Sequence, residues 1–126
     1  MTNLPDKYGF RFRNWPIYKD ARDFRKEINK ILRQFPPEEL YALTDQTKRA
    51  INSVILNLAE GSNKNSNKDK RVYINRAQGS MDEIVACLDC ALDEKYLSAK
   101  LHNELLLRAS EMAKQLKAFG IFLVEN

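Results

Sequence analysis

The chain has 126 residues, of which 30% are charged, with four glycines, four prolines and a formal net charge of +4. That length holds one compact domain rather than two, and the scarcity of turn formers favours long helices over a β-rich fold. No apolar run is long enough to span a bilayer, and the surplus of 21 basic over 17 acidic residues is below the density of a dedicated nucleic-acid binder.

The N-terminus, MTNLPDKYGF, has no basic stretch followed by an apolar one, so a secretory signal is not expected. Residues 1–15 read as an extended arm and residues 16–126 as a four-helix bundle. Within the arm, Tyr8–Trp15 alternates aromatic and basic residues. One reading is a nucleic-acid-stacking arm. The other, which the sequence favours, is a cover of aromatics over one end of the core, because stacking platforms need a folded groove around them.

The first helix is expected from Pro16 to Gln34, with Pro16 in the first turn where its missing N–H costs nothing. Ile17, Ala21, Phe24, Ile28, Ile31 and Phe35 form a core seam at alternating spacings of four and three. Phe35-Pro36-Pro37 ends it, since the residue before proline is pushed out of the α region. Lys19, Arg22, Lys26, Lys30 and Arg33 lie almost opposite the seam, with Asp20, Asp23 and Glu27 beside them. This is the best basic ridge in the chain. Read plainly, it is a solvated face laced with ion pairs. Read functionally, it contacts phosphates.

Pro37 to Ala42 is expected to make one turn. Thr44 then reads as the N-cap of a second helix with Asp45 in its positive first turn. Ala50, Ile51, Val54, Ile55 and Leu58 form its buried face, and Gly61 stands where a C′ glycine belongs. Residues 61–67 are a polar loop. Ser66 with Asp69 three residues later reads as a capping box. The third helix carries the seam Ile74, Ala77, Met81, Ile84, Leu88 and Ala91 and ends near Glu94. Ser98 opens the fourth, with Leu101, Leu105, Met112, Leu116 and Phe119 inward. The apolar tail GIFLVEN is expected to pack over the bundle end. Short loops make neighbours antiparallel, so the fold class is all-α, an up-down-up-down four-helix bundle in a single domain.

Two of these helices carry a second row of residues. At about 100° per residue, Gln46, Arg49, Ser53, Leu56, Asn57 and Glu60 lie away from the core stripe of the second helix. Arg76, Gly79, Glu83, Ala86 and Cys90 do the same on the third. A solvent face normally carries long charged side chains, whereas Gly, Ala, Cys, Ser and Asn let another backbone approach. A glycine inside a helix costs about 1 kcal/mol relative to alanine, and packing against a neighbouring subunit would offset that cost. The expectation is therefore a homo-oligomer held through these faces, with Arg49 paired to Glu83 either between helices or between subunits.

At these residues the chain resembles a known family, the bacterial four-helix-bundle proteins encoded in intervening sequences of large-subunit ribosomal RNA genes. That family is related in fold to the accessory variability determinant of diversity-generating retroelements. The pattern runs through Phe35-Pro36, Glu39, Tyr41, Leu43, Gln46, Arg49-Ala50, Ser53, Asn57 and Ala59-Glu60-Gly61. It continues through Ala77, Gly79-Ser80, Glu83 and Tyr96-Leu97. It covers about residues 12–97, and the last helix carries little of it. Tyr18, Asn29, Lys64 and Lys70 depart from the usual residues. The resemblance implies a closed homopentamer with a central channel, no catalytic activity and an association with nucleic acid.

No catalytic constellation, cofactor motif or metal set is expected. Cys87-Leu88-Asp89-Cys90 is a C-x-x-C, but it stands far from a helix N-terminus, where a redox thiolate would be stabilised. A zinc site needs about four ligands, and His102 reads as a lone surface residue. The carboxylates Asp82, Glu83, Asp89, Asp93 and Glu94 lack the Glu-x-x-His pairing of di-metal bundles. Two unbridged cysteines point to the reducing cytoplasm.

Charge is unevenly placed. Residues 1–35 hold nine basic and four acidic side chains, residues 61–76 five and one, and residues 77–97 one and five. The ridge on the first helix together with Lys64, Lys68, Lys70 and Arg71 could hold RNA or DNA by charge alone, with little sequence readout. The alternative is a protein-interaction scaffold whose ridge is merely solvated.

Overall fold

The computed structural model describes residues 6–125. Among them are four α-helices and two single turns of 3-10 helix, with no strand. α1 spans Pro16–Leu32, α2 Leu43–Ser62, α3 Asn67–Asp93 and α4 Ala99–Glu125. Each helix packs on its chain neighbours, and α4 closes back on α1. Paired residues run in opposite directions: Arg25 meets Asn52, Ser53 meets Ser80, Asp89 meets His102, and Asp20 meets Gln115. The architecture is the antiparallel four-helix bundle that the periodicity demands.

The core is continuous from Trp15 at one end to Phe35 and Leu97 at the other. α1 contributes Ile17, Ala21, Phe24, Ile28 and Leu32. Leu32 replaces the expected Ile31, which is half-buried. The physical reason is the 3.6-residue period, which drifts from a strict four-three seam within a few turns. α1 also ends at Leu32 rather than Gln34, in tight turns that precede Phe35. In α4 the inward residues are Leu105, Ala109, Met112, Leu116 and Phe119, while Leu101 is half-buried. The tail GIFLVEN does not fold over the bundle end. α4 runs on through it to Glu125, leaving Ile121 and Phe122 exposed.

Helix ends follow the expected chemistry at two of three places. Ser66 Oγ accepts the N–H of Asp69 at 3.1 Å, and Ser98 Oγ accepts that of Leu101 at 3.1 Å. Thr44 is not a cap. α2 begins one residue earlier behind Ala42, and Thr44 is buried on the core face beside Thr47. α3 closes with the Tyr96 N–H on Ala91 O and the Lys95 N–H on Leu92 O, each at 2.9 Å. That double closure needs a left-handed residue, and Lys95 supplies it at φ 63°.

Gly61 is likewise not a C′ residue, because α2 continues through Ser62. Its role is close approach. A Cβ at Gly61 would stand 2.8 Å from Tyr73 Cβ on α3. Gly61→Ala is therefore expected to destabilise the bundle by about 1–3 kcal/mol through overpacking. At an open helix position the same change would gain about 1 kcal/mol. Urea denaturation midpoints read the sign directly, and a raised midpoint would mean that α2 and α3 are not this close.

The arm is not extended throughout. It contains a 3-10 turn over Arg11–Asn14, and its first five residues lie outside the described residues. Burial pushes the Asp6 carboxyl up, but N–H groups of Phe10 and Tyr8 and the Arg13 guanidinium at 2.9 Å outweigh it and hold the group below the ordinary carboxylate value. Trp15 is buried edge-on against Phe119 at 4.9 Å, and Phe12 meets Tyr18 at 4.9 Å. Those two rings cap the core, whereas Tyr8 and Phe10 remain exposed.

At the other end the Tyr96 hydroxyl donates to Glu39 Oε2 at 3.0 Å, tying the 3-10 turn Pro37–Glu39 to the turn between α3 and α4. Desolvation first, and then the Glu39 carboxylate, push this hydroxyl up to about 12. An unfolded tyrosine ionises near about 10. The contribution is therefore complete below about pH 10 and is lost as pH rises through about 12, because only the unfolded chain ionises in between. Wild type should lose stability over that window more steeply than Tyr96→Phe. Denaturation midpoints taken across it test this, and parallel curves would refute the tie.

Candidate assembly and nucleic-acid faces

The five ridge residues of α1, Lys19, Arg22, Lys26, Lys30 and Arg33, are all exposed. None forms an ion pair with a described residue. Two of the three carboxylates beside them look the other way. Asp20 accepts from Gln115 Nε2 at 3.0 Å and Glu27 meets Arg108 Nη1 at 2.6 Å, both on α4. Asp20 and Glu27 thus face α4, Arg22, Lys26 and Arg33 border the clefts toward α2, and Lys30 stands in the α1–α4 cleft. Helical spacing causes this, since Asp20, Asp23 and Glu27 repeat at three and four. Among the described residues the ridge carries none of the laced ion pairs of the plain reading.

The loop cations are placed differently. Lys68 is exposed, whereas Lys64, Lys70 and Arg71 are half-buried. Lys64 Nζ stands 4.9 Å above the Tyr73 ring and Arg76 stands 4.8 Å from the same ring. Tyr73 thus lies between two cations at the α2–α3 end. Of these residues Lys64 lines the cleft beside the arm, which adjoins the α1 side through Leu56.

The second rows of α2 and α3 form one outward face. Arg76, Gly79, Glu83, Ala86 and Cys90 are all exposed, and a Cβ at Gly79 would meet nothing within 4 Å. On α2, Gln46, Arg49 and Glu60 are exposed. Ser53 and Asn57 are only half-open. Ser80 Oγ donates to Ser53 Oγ at 2.8 Å, and Asn57 Nδ2 donates to Ser53 O and Oγ at 2.8 and 3.0 Å. Ser53 thus ties α2 to α3, while Asn57 bonds back within α2. Within one subunit Arg49 does not pair with Glu83. It meets Asp45 at 3.1 Å, one turn back on its own helix, and so the local i, i+4 pair wins over the interhelical one.

A model of the 23S rRNA-intervening sequence protein family matches residues 13–118 of this chain. The chain belongs to that family. The match runs well into α4, beyond the segment whose residues carry the pattern by eye. Among solved structures, a protein of unknown function from the S23 ribosomal protein family of Bacteroides thetaiotaomicron is similar, with a TM-score of 0.75 and 17% identity. The likeness covers 82% of this chain and 97% of that one, and at this identity it shows the fold alone. Comparison with curated proteins gave no match.

Cys87 is buried, and Cys90 exposed. Desolvation raises the Cys87 thiol, aided by the charges of Glu83 and Cys90 and opposed by its hydrogen bond with Thr47. A thiol held protonated in this way is a poor nucleophile. His102 is not a free surface residue. Its ring is half-buried, with Nε2 2.8 Å from Asp89 Oδ1, and so it bridges α4 to α3. Among the described residues no three of His, Cys, Asp and Glu gather as metal ligands, and no helix is long and apolar enough to cross a membrane.

Sequence reasoning missed Arg25, Lys48 and Asn52. Arg25 Nε donates to Asn52 Oδ1 at 2.7 Å across α1 and α2, and Lys48 lines the same cleft. They lie far apart in sequence, and only the antiparallel register brings them together. The available signal was flank position: each sits just off the core stripe of its own helix.

Proposed function

We propose that this protein is a non-enzymatic homo-oligomer of the reducing cytoplasm that holds nucleic acid by charge through basic faces repeated on each subunit. The observation that carries the reading is the ridge of α1: five exposed cations that make no ion pair with a described residue, with two of the three neighbouring carboxylates, Asp20 and Glu27, engaged by α4. A ridge kept only for helix stability would be paired. The exposed small-residue face around Gly79 supports assembly, because it admits a second backbone without rearrangement. The resemblance to proteins related to the accessory variability determinant makes a closed pentamer with a central channel the assembly to test. One subunit would bind weakly, and linked copies gain by avidity.

The test is the solution mass by light scattering, followed by titration with a labelled pool of RNA and DNA at two salt concentrations. The expected result is a mass near five times the 14.7 kDa protomer and an affinity that falls at least about tenfold on moderate salt, as counterion release requires. The rival reading, a protein-interaction scaffold, draws on the exposed Leu40 and Tyr41 beside the 3-10 turn. A pentamer that ignores nucleic acid at low salt would favour it and overturn the charge-based reading.

A further inference from the structure

Three clefts follow one another along the seam between α1, α2 and the arm. The first, about 690 Å³, is lined by Phe10, Arg11, Leu56 and Lys64. The second, about 390 Å³, shares Leu56 and is lined by Tyr18, Arg22, Arg25 and Lys26. The third, about 480 Å³, shares Arg25 and Asn52 with the second and adds Arg33 and Lys48. Shared walls make them one track from the arm to the turn after α1. Seven cations line it and a single carboxylate, Glu60, touches it, at the arm end. The α1–α4 cleft is balanced instead, with Glu27 and Glu104 against Lys30 and Arg108.

The track has an aromatic end. Phe10 is 58% exposed and Leu56 63% exposed, facing the same cleft. Neither ring nor isobutyl group serves the core, and both border Arg11 and Lys64. Apolar surface flanked by cations inside a groove is the arrangement on which unpaired bases stack while phosphates follow the charge. Phe12 and Trp15 are spent on the core, so the arm divides its aromatics between two tasks.

We infer that this track is the path of a single-stranded nucleic acid, with its backbone along Arg22, Arg25, Arg33 and Lys48 and a base against Phe10. The inference rests on the nucleic-acid reading above and names its route and its strandedness. Packed helix axes lie about 8–10 Å apart, so their seam seats one backbone. It does not seat two that stand across a major groove of about 12 Å. From Arg22 to Arg33 the track follows α1 for about 16 Å at 1.5 Å per residue. Its cationic stretch, Arg22, Arg25, Arg33 and Lys48, lies on the α1 side of α2, away from the face around Gly79, and only its arm end borders the outer row of α2, at Leu56 and Glu60.

The test is fluorescence anisotropy with a labelled mixed-sequence single strand, and with a duplex of equal length, on the full chain. Arg25→Gln with Lys48→Gln removes two track cations and keeps side chains able to hydrogen-bond. Lys19→Gln with Lys30→Gln removes the same charge from the outer ridge. Phe10→Ala removes an exposed ring whose one aromatic neighbour is Phe12, edge-on at 6.3 Å, and an unchanged melting temperature checks that the cap is intact. The expected result has three parts. The track pair weakens single-strand binding at least about tenfold and lowers the salt slope by about 1.4, since each lost single-strand contact contributes about 0.7. The ridge pair changes affinity by less than about threefold. Phe10→Ala weakens binding at least about fivefold, the loss of one stacked base. Equal losses in the two charge pairs would overturn the track while leaving charge-based binding in place. Duplex bound as tightly as single strand, or an unaffected Phe10→Ala, would overturn the single-strand path. A wild type that binds neither at low salt would overturn the inference and the reading beneath it together.

Discussion

Phe24→Ala is expected to cost about 3–5 kcal/mol, the largest loss of any single truncation in the bundle. Phe24 is fully buried at the middle of α1, in the one core shared by all four helices. The Arg108 guanidinium of α4 stands 5.4 Å from the ring centroid, adding a cation–π contact on the solvent side. Removing the ring leaves a cavity that three other helices cannot close without moving. Net stabilities of domains are about 5–15 kcal/mol, so the variant stands near the threshold of folding. At about 2–8 °C per kcal/mol, its melting temperature should fall by at least about 6 °C at fixed protomer concentration, read by circular dichroism. Leu107→Ala is the control, because Leu107 is 61% exposed and should change stability by no more than about 0.5 kcal/mol. Equal melting of the two variants would place Phe24 outside the core.

The helices themselves were legible because each holds an apolar stripe of helical period over several turns. Pro16, Ser66, Ser98 and Phe35-Pro36 mark boundaries by local chemistry that tertiary packing does not override. Where the reading failed, a neighbour decided. Thr44 looks like a cap but is taken into the core, and Gly61 looks like a stop but makes room for Tyr73. Arg49 finds Asp45 before it can reach across to α3. The outer tail of α4 looks like a lid but is good helix. The α1 ridge was legible from spacing alone, as were the open residues around Gly79. The track was not, because Arg25, Lys48 and Phe10 belong to three separate elements whose register no local pattern encodes.

Gly79→Leu should separate assembly from folding. Gly79 is exposed at the middle of α3, and nothing stands within 4 Å of a Cβ built there. A leucine therefore fits the isolated bundle and removes a helix cost of about 1 kcal/mol, so each subunit should melt no lower than wild type under conditions that keep both dissociated. Between subunits the outcome reverses. A face that admits a second backbone because its side chains are small cannot accept a branched one without opening the interface. The expected result is a fall from the assembled mass to that of the 14.7 kDa protomer in light scattering. Loss of avidity should follow, with nucleic-acid affinity reduced by about 10²–10⁴ although no cation has been touched. Gly61→Ala makes the opposite pair of changes, a weakened subunit with the outer face intact, and so the two glycines test the two sides of the same helix pair. Retention of the full assembled mass by Gly79→Leu would remove the α3 face from the interface. A wild type that is monomeric at high concentration would remove assembly itself, and with it the reason for a glycine at that position.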